Sequence, residues 1–167
     1  MPTDLRANVL VLAFVFALAG CRSNDSDLPT IRTQPEFRKD GTLSFVSAGG
    51  DTLSTIDIEI AETEQARITG MMGRSGIPPQ SGMLFIMDDV DARGFWMKNT
   101  PLPLDIIFVG PDSQVINVVK RTTPFSVEVI LPTAPKKYVV ELRAGVSDRL
   151  GITDSTRIVW NRTAGES

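Results

Sequence analysis

The chain contains no histidine and a single cysteine, Cys21. Without imidazole it cannot build Ser-His-Asp or Cys-His nucleophilic machinery, histidine acid–base catalysis or the usual zinc ligand sets. One thiol also excludes an intramolecular disulfide. Basic excess is lacking: 17 Lys and Arg stand against 20 Asp and Glu, the net charge is −3, and the longest basic run is a pair. A nucleic-acid surface normally shows a basic stripe, so nucleic acid is not an expected partner. Aromatic residues make up only 7% of the chain, with Tyr138 the single tyrosine. Any site must therefore use carboxylates, Lys, Arg, hydroxyls, Tyr138 or backbone, and nothing in this inventory implies a cofactor.

What is present suits one domain. An apolar content of 42% over 167 residues is enough for a real core without a metal or disulfide. The longest apolar run, Val9–Ala19, follows Arg6 and leads into Gly20 and Cys21. At 11 residues it is too short to span a bilayer and has the length of a secretory h-region. Its close, "LAGC", resembles the lipobox of bacterial lipoproteins. That resemblance implies residues 1–20 as a signal peptide, cleavage before Cys21, lipidation of its sulfur and acylation of the new amino terminus. Acyl chains contribute roughly 0.8 kcal/mol per buried methylene, so the anchor would be effectively permanent. Arg22 gives no inner-membrane retention signal, which leaves the outer membrane, facing the periplasm, as the default. Residues 21–36 are polar, carry two prolines and read as a lipidated tether. The folded domain is expected over 37–162, with 163–167 as a disordered tail and the protein a monomer.

Strand patterns dominate that domain. In "TLSTIDIEIA", Ile56, Ile58 and Ile60 alternate with Asp57 and Glu59, as in a half-buried strand, and "GGD" at Gly49–Asp51 precedes it as a hairpin turn. Further apolar runs lie at Met83–Met87, Phe95–Met97, Leu104–Val109, Val115–Val119, Tyr138–Leu142 and Ile158–Trp160, with "GPDSQ" as a turn after Val109. Helices are expected over Glu62–Met72, with Ile68, Met71 and Met72 on one face, and around Val146–Leu150. Seven or eight short strands with one or two short helices make a mainly β fold, a compact antiparallel barrel or sandwich.

Between Glu62 and Gly110 the sequence becomes specific: "ITGMMGRSGIPPQSGMLFIM" and then "GFWMKNTPLPLDIIFV", followed later by "PKKYVVELRAG". The residues Gly70, Met71, Arg74, Gly82–Phe85, Phe95–Thr100, Pro103–Asp105, Val140–Leu142 and Gly145 resemble the signature of the bacterial and archaeal family catalogued as domain of unknown function 192. The likeness extends over residues 43–160. It implies a compact β-rich barrel, often exported, and brings no established activity. Two positions depart from the pattern. The family's Gly-Asp near its end reads "ITDST" here, Ile152–Thr156, and the tyrosine common after its central strands is Phe125.

Asp105 is the one charge in a strand that is apolar on both faces, so it must be paired, backbone-bonded or protonated. Lys98 is its nearest cation. A four-residue hairpin loop would set the two opposite each other, whereas a five-residue loop would put Met97 opposite Asp105. Arg74 is the other candidate partner. Two accounts of these groups follow. In one, Arg74, Trp96, Lys98, Asn99 and Asp105 form a binding site, with Asp105, Lys98 and Glu141 the catalytic candidates and Glu62 a further possible member. In the other, the charges are a buried ion pair and Asn99 caps the "NTPLP" turn.

Five of the six methionines fall within 27 positions, and thioethers such as those of Met71, Met83 and Met97 can hold Cu(I), although core filling is their commoner use. "MDDVDARG" at Met87–Gly94 lacks calcium-loop spacing and is expected to be a solvated turn. The sequence thus favours a lipid-anchored envelope domain that binds a ligand or protein partner without catalysis. The alternatives are a carboxylate-based hydrolase using the Lys98/Asp105 region and, third, a Met-based Cu(I) binder.

Overall fold

Strand Leu104–Val109 (β4) is buried at all six positions, as expected for a strand apolar on both faces apart from Asp105. In the computed structural model, which describes residues 34–163, it lies inside a seven-stranded sheet ordered β5-β4-β6-β3-β2-β1-β7. The other strands are β1 (Gly41–Val46), β2 (Thr52–Ala61), β3 (Ser81–Asp91), β5 (Val115–Val119), β6 (Lys136–Arg143) and β7 (Arg157–Arg162). Two short helices accompany them, α1 (Glu64–Thr69) and α2 (Val146–Arg149). The fold is mainly β, as the alternation indicates.

Two features of the expected architecture need correction. The sheet is mixed, because β2 and β3 pair in parallel with Glu59 beside Met83 and Ala61 beside Phe85. A parallel neighbour cannot be reached through a hairpin, and the α1 segment between Ala61 and Ser81 supplies the crossover. Nor is it a closed barrel. The edges of the rolled sheet meet where Gln114 bridges Arg157, with Val115 N donating to Thr156 O and Ile158 N to Ser113 O, both at 2.9 Å.

Each sheet face buries its own cluster. Leu43, Phe45, Ile58, Leu84, Ile107, Val140 and Leu142 fill the first. On the opposite face Met83, Phe85, Ile106, Phe108 and Val139 pack under Met71, Met97 and Leu102. The second cluster is covered by chain outside the sheet. Phe95–Met97, expected as a strand, peels away and lies against residues 126–130. Phe95 and Ile130 exchange backbone hydrogen bonds of 2.8 Å, and Met97 N donates to Ser126 O at 3.0 Å. Pro101 and Pro103 break any continuation into β4, and Asn99 turns the chain with φ of 56°.

Helix α1 is shorter than the sequence suggests. Thr63 Oγ1 accepts from Ala66 N at 3.2 Å to cap its start, and Gly70, at φ 43°, ends it before Met71. Ile68 is left exposed while Met71 enters the core. "MDDVDARG" is also not a free turn, since β3 runs on through Asp91. The Asp91 carboxylate accepts from the fully buried Lys136 Nζ at 2.6 Å and from Arg93 Nε at 2.6 Å. Burial acts to raise Asp91, but these bonds outweigh it and hold its pKa at about 2. The stability it contributes is present above the ordinary carboxylate range and lost as pH falls toward 2.

Candidate functional site

Two strands place carboxylates on the second-cluster face. The register aligns Glu59 (β2), Met83 (β3), Glu141 (β6) and Ile106 (β4) in one row across the sheet. The alternation of β2 suggests a solvent-facing Glu59, but the chain around Arg38 and Arg74 covers it. Arg74 Nη2 donates to Glu59 Oε2 at 2.7 Å and Arg38 N to Oε1 at 2.5 Å. Both side chains of the Arg74–Glu59 pair are buried, and Arg74 Nε and Nη1 have no hydrogen-bond partner. Arg74 is thus the partner of Glu59 and not of Asp105.

Glu141 is different. It is 4% exposed, its Oε2 is buried without a partner, and burial alone pushes its pKa to about 8. At neutral pH it is a carboxylic acid, able to donate as well as accept. Gly82 explains how the strands approach so closely beside it, because a Cβ there would stand 2.7 Å from the Glu141 carbonyl oxygen.

Glu141 forms part of the wall of a cavity of ≈ 700 Å³. The apolar wall comes from Met71, Met72, Phe85, Met87, Phe95 and Trp96, with Gly70, Thr100 and Val129 beside them. Phe85 and Phe95 meet edge to face at 5.1 Å between ring centroids, which fixes the aromatic part of that wall. Charged residues Glu64, Arg67, Asp88, Asp89 and Arg93 complete the lining. Arg67 pairs with Asp88, and Arg93 with Asp91. A cavity of this size, with an apolar wall, a charged rim and two buried polar residues, Thr100 and Glu141, is of the kind that holds small molecules.

The other residues singled out from the sequence are dispersed. Trp96 is 49% exposed and lines the cavity, while Lys98 is exposed with its Nζ 5.5 Å from the Trp96 ring centroid. Asn99 is also exposed, its carbonyl accepting from Gly73 N at 2.8 Å. Asp105 lies outside the cavity lining and is 0% exposed. Its Oδ2 accepts from Ser147 Oγ at 2.7 Å and Ser147 N at 2.9 Å, and its Oδ1 from Arg121 N at 2.9 Å. Burial would raise its pKa, but the Ser147 hydroxyl and the Arg121, Ser147 and Gly145 amides outweigh it and hold the carboxyl below its ordinary range. Neither expected Lys98 register forms, because Lys98 is not in a strand; Asp105 is backbone-bonded instead. Glu62 pairs with Arg162 on the surface.

Met71, Met83 and Met97 all pack in the second cluster, but only Met71 lines the cavity, and Met97 Sδ accepts from Thr122 Oγ1 at 3.1 Å. Among the described residues no group of three His, Cys, Asp or Glu side chains is placed to hold a metal ion. Cys21 lies outside the described residues.

The sequence and fold have counterparts in known proteins. The family model DUF192, described as "Uncharacterized ACR", matches residues 45–160. The chain belongs to this family. A UPF0127 protein of Pyrococcus furiosus is 26% identical over 113 residues, which is 64% of this chain and 89% of that protein. A crystal structure of a Sinorhizobium meliloti protein, described as a candidate transcription regulator, superposes with a TM-score of 0.70 at 32% identity. The match covers 75% of this chain and 96% of the other. A protein of unknown function from Novosphingobium aromaticivorans gives a TM-score of 0.67 at 31% identity, covering 71% and 84% of the two chains.

For this DUF192 member, sequence reasoning reached Trp96, Glu141 and Met71 but missed Arg67, Phe85, Phe95 and Val129 as cavity residues. Phe85 and Phe95 were visible within the family pattern as strand residues. Val129 had its own signal in "FSVEVIL", where Phe125, Val127, Val129 and Leu131 alternate with other residues in a stretch not assigned to any strand.

Proposed function

We propose that this DUF192 domain is a non-catalytic binding module of the cell envelope, tethered through lipid at Cys21, and that the cavity beside Glu141 receives its ligand. The observation that carries the binding assignment is the buried, unpartnered Glu141 carboxyl in the cavity wall, beside the apolar side chains of Met71, Phe85 and Phe95. An unsatisfied buried polar group costs about 1–3 kcal/mol, a penalty that a bound partner would relieve. The envelope assignment is supported by "LAGC" at residues 18–21 and the apolar run before it.

The hydrolase alternative, in its Asp105–Lys98 form, draws no support from the geometry. Asp105 has its hydrogen-bonding capacity taken up by Ser147 and Arg121 and does not reach the cavity, and Lys98 stands over Trp96 at the surface. Copper binding through Met71, Met83 and Met97 draws little more, since Met83 and Met97 do not join Met71 in the cavity lining.

N-phenyl-1-naphthylamine, a neutral fluorescent apolar probe, tests the cavity directly. It is expected to bind the protein and to accept energy from tryptophan. Trp96→Ala should weaken that binding about 5- to 30-fold, the equivalent of about 1–2 kcal/mol for a half-exposed aromatic wall residue. Equal probe affinity in the two proteins would count against the cavity. The anchor is tested separately by Cys21→Ser, which is expected to move the protein out of the detergent-extractable lipid fraction.

A further inference from the structure

Resting on that binding assignment, we infer that the cavity selects an uncharged, largely apolar ligand carrying a carbonyl-type acceptor, to which the buried Glu141 carboxyl donates its proton. Glu141 projects from β6 in the row between Met83 and Ile106, and its Oε2 is buried without a partner. Apolar neighbours on both sides of the row leave the carboxyl no cation to neutralise it, so the acid is the form the site holds, and an acid offers a donor. The pKa of about 8 agrees with this geometry.

The charges around the cavity disfavour an anionic head. Arg67 on α1 is engaged by Asp88, and Arg93 beyond β3 by Asp91. Glu64 on α1 and Asp89 on β3 add negative charge to the lining. Along the row the remaining ionic groups are Glu59 and Arg74, paired with each other, and Arg74 does not line the cavity. A carboxylate ligand would therefore be desolvated beside an acid and acidic rim groups with no unpaired cation in the lining, Lys98 standing outside it over Trp96. The apolar requirement extends beyond the wall. Val129, 63% exposed, lines the cavity and belongs to an exposed series with Phe125, Val127 and Leu131, which offers surface to a tail longer than the cavity.

The test displaces N-phenyl-1-naphthylamine from the full chain, read by energy transfer from tryptophan, with 2-nonanone and with octanoate. The ketone is expected to bind at least tenfold more tightly than octanoate at pH 6. Its affinity should then fall about tenfold per pH unit above pH 8, as the donor proton is lost. Glu141→Gln keeps a donor and should bind the ketone with a flat pH profile, whereas Glu141→Leu should bind it at least tenfold more weakly than wild type. Should Glu141→Leu fail to fold, the contrast between the wild-type and Glu141→Gln profiles decides. Equal affinities for ketone and octanoate, or identical pH profiles in wild type and Glu141→Gln, would overturn the inference while leaving the binding assignment intact. If the fluorescent probe does not bind at all, both fall together.

Discussion

Glu141→Gln is expected to stabilise the protein at neutral pH, by roughly 3 kcal/mol. Folding raises this carboxyl from 4.5 to about 8 through burial. Between those values the native state keeps a proton that the unfolded chain has released, so stability falls as pH rises through the window. At pH 7 the difference amounts to about 2.5 pKa units at about 1.4 kcal/mol each. Glutamine has nearly the same shape and no charge to desolvate, and so removes the penalty. Thermal melts should show variant and wild type close together at pH 5 and separated by about 10 °C at pH 8. Superimposable melts at both pH values would mean that Glu141 has a partner in the folded protein and is ionised like an ordinary carboxylate.

Asp105→Asn should act in the opposite direction and strongly. The carboxylate accepts from Ser147 N, Ser147 Oγ and Arg121 N in a fully buried position. An amide replaces one acceptor oxygen with a donor, so either Arg121 N or the two Ser147 donors would face an N–H group. Bonds to a charged group contribute about 1.5–3 kcal/mol each, and orphaned buried donors add their own cost. A loss on the order of 3–5 kcal/mol follows, within the range that marks broken buried networks. Because Asp105 is held below its ordinary pKa, the wild-type advantage is present above the unfolded carboxylate range and fades as pH falls through the folded value. Denaturation at pH 7 should show the full effect and strongly acidic buffer a reduced one. An unchanged midpoint at pH 7 would contradict the network described for Ser147.

These two carboxylates also show how much of the molecule could be read from its sequence. That Asp105 is a buried charge follows from Leu104, Ile106, Ile107, Phe108 and Val109, which cover both strand faces whatever the partners. Which group satisfies it does not follow, because Ser147 is 42 residues away and arrives through the corner between β6 and α2. Lys98 was the plausible cation only under the assumption that Phe95–Met97 is a hairpin strand, and the prolines at 101 and 103 carry that segment off the sheet. Glu59 shows the limit of alternation. Period-two patterning says that Ile58 and Glu59 point to opposite faces, but not that chain elsewhere covers the second face. The Glu141 cavity was legible only in part. Its aromatic residues and Met71 stand in the family pattern, but their convergence depends on the parallel β2–β3 pairing, which local alternation cannot reveal.

The bridge between Gln114 and Arg157 has a consequence for how the protein behaves in a crowded compartment. Strands at the margin of an open sheet expose rows of amide and carbonyl groups that can recruit strands from other molecules. Here the β5 and β7 margins meet, and near Ser113 and Thr156 those groups satisfy each other. The seam therefore works against strand-by-strand self-association through two backbone hydrogen bonds and one pair of facing residues.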